Sequence, residues 1–320
     1  LKNYNIIILY HMVIISKLNQ SAGFYSQFFF MINHFYYAIT NNLTYKIESS
    51  SWLFTYNLGW YDYFENLSFT GENNNSNIIC SHGQTLDNFT LSEYKSAIKM
   101  VYKYNETITN LIHNTKKHLD LINNKYDSIF IRRGDKMCGE SKYIKGDEFV
   151  KILLQINPTC KAIFLQTDDY NCFLEIREYL KNINSNINLI TICEAKMIGG
   201  VIVNNNNING LTDLKNGTEA MKPHFKNREY VSDVFEDLTK NTPVTLMTKE
   251  QKYNHTSKMI IGIDIVLNSE LCVCEFSSNV SRFIKLAHKD SNKVYNVLDT
   301  NEKFDWNITE CPSFGEKWNH

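Results

Sequence analysis

From residue 127 to residue 299 short apolar runs alternate with stretches of helical spacing, and this alternation limits the fold more than any other feature. DSIFI reads as a strand, DEFVKILLQI as a helix and KAIFLQ as the next strand. Tyr170 to Asn184 places Phe173, Leu174, Ile176, Leu180 and Ile183 at helical spacing. INLITIC is a third strand, Lys258 to Leu267 a helix and LCVCEF a fourth strand. Ser278 to His288 forms a helix with Val280, Phe283, Ile284 and Ala287 on one face, and KVYNVLD closes the series. Short apolar strands alternating with helices predict a parallel sheet covered on both faces.

The first half follows the same grammar less tidily. MVIIS predicts a strand, Gly23 to Thr40 an aromatic helix and LTYKIES a second strand. The polar stretch from Gly71 to Asn88 reads as a loop, and Leu91 to Asn124 as one long helix or two. The expected organisation is therefore an N-terminal α/β half over 1–125 and a C-terminal half over 126–320, with a ligand cleft between them. An insertion at about 199–248 carries an asparagine run and little periodicity, so it reads as a lid or a disordered excursion.

At 320 residues the chain can bury a core in one large domain or two moderate ones. Its net charge of −1 supplies no basic field to attract nucleic acid, so an anionic partner needs a local site. IIILYHMVII is apolar but falls short of the ~20 residues a membrane span needs, so a buried strand and a soluble chain are expected. Asparagine makes up roughly one residue in eight, which by itself generates sequons such as Asn42-Leu43-Thr44 and Asn307-Ile308-Thr309. Cys80, Cys138, Cys160, Cys172, Cys193, Cys272, Cys274 and Cys311 form no CxxC pair, and most lie in apolar runs where cysteine packs as a small hydrophobe. No structural zinc is expected from that spacing.

Three stretches carry chemistry. In FIRRGDKMCGE, Arg132 and Arg133 leave the carboxyl end of a predicted strand, where open α/β sheets place ligand contacts. Paired guanidinium donors fit a diphosphate; a structural arginine paired with Asp135 is the plainer reading, and Arg133-Gly134-Asp135 spells the integrin tripeptide by frequent coincidence. Thr167-Asp168-Asp169 follows the next strand, as a donor-site acid pair or as a helix cap. In CEFSSNVSRF, Ser277 and Ser278 stand between a strand and a helix, where hydroxyls and free amides suit a phosphate.

Taken in order, RRGDK with Glu140, TDD, Asp264 and FSSNVSR resemble the α1,6-fucosyltransferases, a family that includes the core fucosyltransferase of N-glycans and the rhizobial nodulation-factor enzyme. The resemblance spans about residues 12–300 and takes in NQSAGF at 19–24 and ESSSWLF with Gly59-Trp60. It implies a GT-B type fold with two Rossmann-like halves. It also implies metal-independent, inverting transfer of fucose from GDP-fucose to a glycan or glycoprotein hydroxyl, with no cofactor and no nucleic-acid partner. The implied roles are Glu140 as base assisted by Lys136, with Ser278 relaying the proton or touching the β-phosphate. Arg132, Arg133, Asp135, Asp168, Asp169, Ser277 and Gly23 would line the donor site, and Asp264 would hold the guanine edge. α1,2- and protein O-fucosyltransferases, or an inactive GDP-sugar-binding relative, would share that site. Phe130 departs from the family, which often has histidine there, and family members usually work in the secretory lumen.

Overall fold

The computed structural model describes residues 12–20, 22–71, 76–133, 143–195 and 247–299. The chain forms two compact units that divide between Lys103 and Tyr104. That division falls upstream of the expected boundary at 125/126, because the helix after it packs within the second unit.

The first unit holds β1 (Met12–Lys17), α1 (Phe24–Thr40), β2 (Thr44–Glu48), β3 (Ser76–Ser81) and α2 (Leu91–Val101). Its strands are parallel in the order β2-β1-β3. β3 corrects the reading of 71–88 as loop: SNIICS sits among asparagines, yet it pairs with β1 along its whole length. α1 forms because its aromatic residues recur at three- and four-residue spacing, which makes one continuous apolar face. Phe28 and Phe64 stack on Trp60, at centroid distances of 5.9 and 4.1 Å. Trp52, Phe54 and Tyr63 complete this buried cluster, so the tryptophan segment is core. Gly59 is needed where it stands: φ is +66°, and a Cβ there would lie 2.2 Å from Ser49 Oγ.

The second unit holds α3 (Glu106–His118), β4 (Asp127–Ile131), α4 (Gly146–Ile156), β5 (Ala162–Thr167), α5 (Tyr170–Asn182), β6 (Asn188–Thr191), α6 (Lys249–Leu267), β7 (Cys272–Cys274), α7 (Asn279–Ala287) and β8 (Val294–Asn296). The predicted stretch 91–124 is thus two helices, α2 and α3. Thr90 caps the first through a capping box and Asn105 caps the second, accepting from Ile108 N at 2.9 Å. α6 begins nine residues before the expected Lys258, from a capping box of Thr248 and Gln251.

The five strands are parallel, in the order β6-β5-β4-β7-β8. The chain starts at the central strand, runs outward one way through β5 and β6, then returns and runs the other way. Right-handed crossovers therefore put α4 and α5 on one face and α6 and α7 on the other. Ile129, Ile131, Ile163, Leu165 and Val273 pack with Phe149, Leu153, Ile176 and Leu180 on the α4–α5 face. The alternate strand residues, among them Phe130, Phe164 and Cys274, face α6 and α7. α6 buries Ile260, Ile263, Ile265 and Val266 completely, each worth about 1.5–3 kcal/mol. No described helix is long and apolar enough to cross a membrane. The described cysteines are all free; burial pushes the Cys160 and Cys193 thiols up to about 12.

Candidate functional site

In a sheet of this order the topological switch point lies between β4 and β7, and ligands bind outside the carboxyl ends there. Register makes the neighbours explicit. Phe130 pairs with Cys274 on one side and Gln166 on the other. Two residues beyond each stand Arg132, Phe276 and Asp168. Arg132, Arg133, Asp168, Asp169, Ser277 and Ser278 all follow strand ends at this edge, and the two arginines divide between its two faces.

Arg132 and Arg133 are consecutive at a strand end, so their side chains leave on opposite faces. Arg133 follows Ile129 and Ile131 to the α4–α5 face and is 3% exposed. Its Nη1 donates to Glu175 Oε1 at 3.1 Å and Asp169 Oδ2 at 3.3 Å. Its Nη2 donates to Glu175 Oε2 at 2.7 Å and the Ile144 carbonyl at 3.2 Å, and Tyr143 stacks 4.5 Å from its Cζ. This is the structural arginine, with Glu175 and Asp169 as its partners. It corrects the expectation that both guanidinium groups hold one diphosphate.

The acid pair serves the same node. Asp168 Oδ1 accepts from Arg133 N at 2.7 Å and ties the end of β5 to the end of β4. Asp169 is the N-cap of α5, accepting from Asn171 N at 2.9 Å, so the capping alternative describes it. Glu175 also accepts from Tyr143 Oη at 2.7 Å and Gly146 N at 2.8 Å. One carboxylate thereby fixes Arg133 and the start of α4, the two described ends of the segment that carries Asp135, Lys136 and Glu140. Those three residues lie outside the described residues.

On the other face, α6 runs antiparallel to the strands. Its last turn lies at their amino ends, where the Ile265 carbonyl accepts from Tyr126 Oη at 2.9 Å just before β4. Asp264 belongs to that end and pairs with Lys116 of α3 at 2.5 Å. The structure therefore corrects its assignment to the ligand edge: about two turns of helix separate it from Lys258 and His255, which reach the strand ends. The first turns of α6 do reach that edge. Lys258 pairs there with Glu194, which follows β6. His255, one turn earlier, faces the Arg132 and Lys258 charges; burial first, and then those cations, hold its imidazole below the usual histidine range.

Unsatisfied polar atoms collect around the same helix. Gln166 Oε1, against which Gly262 packs, is buried without a hydrogen-bond partner, and so are Thr256 Oγ1 and Ser257 Oγ. A buried polar atom left unpaired costs about 1–3 kcal/mol. Sequence reasoning passed over all of these, together with Glu175, because each gains its meaning only from the strand or helix it packs on.

Beyond β7, Ser278 is the N-cap of α7, accepting from Ser281 N at 3.1 Å. Ser277 N donates to Glu275 Oε1 at 2.9 Å, and its hydroxyl donates to the other oxygen of that carboxylate. The helix start thus carries anion-seeking donors with a carboxylate already drawn to them. Gly23 belongs to the first unit, where it is the N-cap of α1 and its carbonyl accepts from Gln27 N at 3.1 Å. Among the described residues no three His, Cys, Asp or Glu side chains group as metal ligands.

The two Rossmann-like α/β halves have the GT-B type architecture. Two solved structures share the fold: the NodZ α-1,6-fucosyltransferase soaked with GDP-fucose, and fucosyltransferase NodZ from Bradyrhizobium. Each is similar at a TM-score of 0.51 and 9% sequence identity, over 87% of this chain and 92% and 93% of theirs respectively. No protein-family model matches the sequence, and no curated protein does either. The similarity at this identity is one of fold.

Proposed function

We propose that the chain is a glycosyltransferase that moves fucose from GDP-β-L-fucose to a glycan hydroxyl, with inversion, in an α1,6 link. The observation that carries this reading is the pairing of β4 with β7 at the switch point. It puts the end of β4, which leads to Arg132, next to the end of β7, which leads through Ser277 to the N-terminus of α7. A permanent cation and a helix start are the two features a diphosphate needs.

In the proposed reaction, charge grows on the β-phosphate oxygen as the sugar–phosphate bond breaks. Arg132 and the amides at the start of α7 stabilise that charge from fixed positions, with no reorganisation at the moment of reaction. The phosphate takes over the donors of Ser277 from Glu275. Glu140 removes the proton of the acceptor hydroxyl as its oxygen bonds to the anomeric carbon, and Lys136 assists it. Arg133, Asp168 and Asp169 shape the edge through the node with Glu175.

Arg132→Ala should weaken GDP-fucose binding by about 1.5–3 kcal/mol, roughly 10- to 150-fold, as a charged hydrogen-bond donor is lost. Isothermal titration calorimetry reads this directly, and an unaltered affinity would remove Arg132 from the phosphate site. Transfer to an N-glycan or chitooligosaccharide acceptor, followed as GDP release, should persist in EDTA. Loss of activity on chelation, restored by a divalent cation, would count against leaving-group stabilisation by protein donors alone.

A further inference from the structure

The aromatic helix α1 carries no charged residue, yet two of its consecutive polar side chains, Asn33 and His34, are buried at 0% and 1% exposure. Both hold the loop that follows β3. Asn33 Nδ2 donates to the Asp87 carbonyl at 2.8 Å, and its Oδ1 accepts from Leu86 N at 2.8 Å. His34 Nε2 lies 2.8 Å from the Gln84 carbonyl, and its Nδ1 lies 2.9 Å from Ser16 Oγ of β1. Tyr45 Oη of β2 donates to that same Ser16 oxygen at 2.8 Å.

These bonds fix the tautomer. A carbonyl only accepts, so Nε2 carries the proton, and Nδ1 accepts from the Ser16 hydroxyl in a neutral ring. A second proton, on Nδ1, would point at the Ser16 hydroxyl hydrogen and place a charge in the interior. The groups around the ring offer that charge no carboxylate. Beside Ser16 on β1, Lys17 alternates to the other face and pairs with Glu48 at 3.8 Å. β2 contributes Tyr45 and β3 contributes Cys80, both kept neutral by burial. In the loop, His82 Nε2 bonds to Ser26 Oγ at 2.9 Å, and the Asp87 carboxylate is turned to Asn88 N at 2.7 Å. α2 presents Tyr94 to Asn33 at 3.2 Å, while its Glu93 is held in the cap at Thr90. Burial, partly offset by the Gln84 carbonyl, holds the His34 imidazole down at about 4.

The loop occupies a ligand edge. β1 lies between β2 and β3 and the chain visits β2 first, so the first unit has its own switch point between β1 and β3. A cavity lined by Ser16, Gln27, His34, Cys80 and His82 lies at that end of the strands. We propose that His34 is an acid-operated latch: neutral, it clasps the 82–87 loop onto α1 at this edge, and its protonation releases the loop. The released ring regains water and its ordinary affinity for a proton. The closed loop is thus fully favoured above about 6.5 and loses up to about tenfold per pH unit from there down to about 4. Below about 4 both forms hold the proton, and no further loss follows. The latch does not depend on what the second unit binds.

The test is hydrogen exchange of the Leu86 amide in the full chain, read by NMR and corrected for the intrinsic pH dependence of exchange. Its protection should fall by roughly 10²- to 10³-fold between about pH 6.5 and about pH 4, while the amides of the β4–β5 ladder keep theirs. His34→Gln, whose amide can still donate to the Gln84 carbonyl but does not titrate, should lose that slope. Because the variant alters a core residue, the unaltered chain supplies a second measurement: ¹⁵N shifts of the His34 ring. They should report a neutral ring with its proton on Nε2 at about pH 6. A ring already charged there, a Leu86 protection that ignores pH, or an equal slope in the β4–β5 amides would each overturn the latch. So would a folded His34→Gln protein that keeps the slope.

Discussion

Arg133→Ala lowers the unfolding free energy by about 3–5 kcal/mol, the usual cost of removing one partner from a buried ion pair. The guanidinium is 3% exposed and faces two carboxylates, Glu175 at 2.7 Å and Asp169 at 3.3 Å. Without it both charges stay in the interior uncompensated. The start of α4 also loses the bond from Arg133 Nη2 to the Ile144 carbonyl. Arg133→Lys should recover only part of the loss, since an ammonium cannot span both oxygens of Glu175 while also reaching Asp169 and a carbonyl. Urea unfolding followed by circular dichroism measures the effect, and Arg132→Ala, on the other face, is the control. Two neighbouring arginines should thus have opposite phenotypes: one variant is expected to lose stability, the other donor binding. An Arg133→Ala protein with unchanged stability and weakened GDP-fucose binding would return Arg133 to the diphosphate.

The division between these arginines could have been read from the sequence. Period-two alternation through Ile129, Phe130 and Ile131 already sends consecutive residues to opposite faces. The appeal of two adjacent forks for one diphosphate concealed it. The strands of the second unit were legible because both of their faces are buried, which leaves continuous apolar runs such as AIFL and CVC. β3 was not, because an edge strand with exposed Asn77 and Ile79 reads as part of the asparagine-rich stretch around it. The early start of α6 had its signal in Thr248 and Gln251, three residues apart. Asp264 was misplaced because motif order does not say which end of a helix reaches the ligand edge; only the direction of α6 against the strands decides that.

Glu140→Gln is the substitution expected to reduce transfer most, by about 10²- to 10⁴-fold, the usual contribution of a positioned general base. In the proposed reaction the acceptor is an alcohol, so its oxygen attacks well only as its proton departs. A carboxylate within hydrogen-bond reach can take that proton in the transition state, whereas an amide of the same shape cannot. GDP-fucose binding should be nearly unchanged, because the base acts on the acceptor and the diphosphate is held by other groups. The loss should therefore appear in kcat and kcat/KM alike, with donor affinity by calorimetry unaltered. Arg133 and Tyr143 bound the segment that carries Glu140, and both are bonded to Glu175. Disturbing that node should then slow transfer as well as lower stability, which Glu140→Gln does not do. Full turnover in a folded Glu140→Gln protein would remove Glu140 as the base. Tight donor binding by the unaltered chain with no transfer to any glycan would instead identify an inactive GDP-sugar-binding relative.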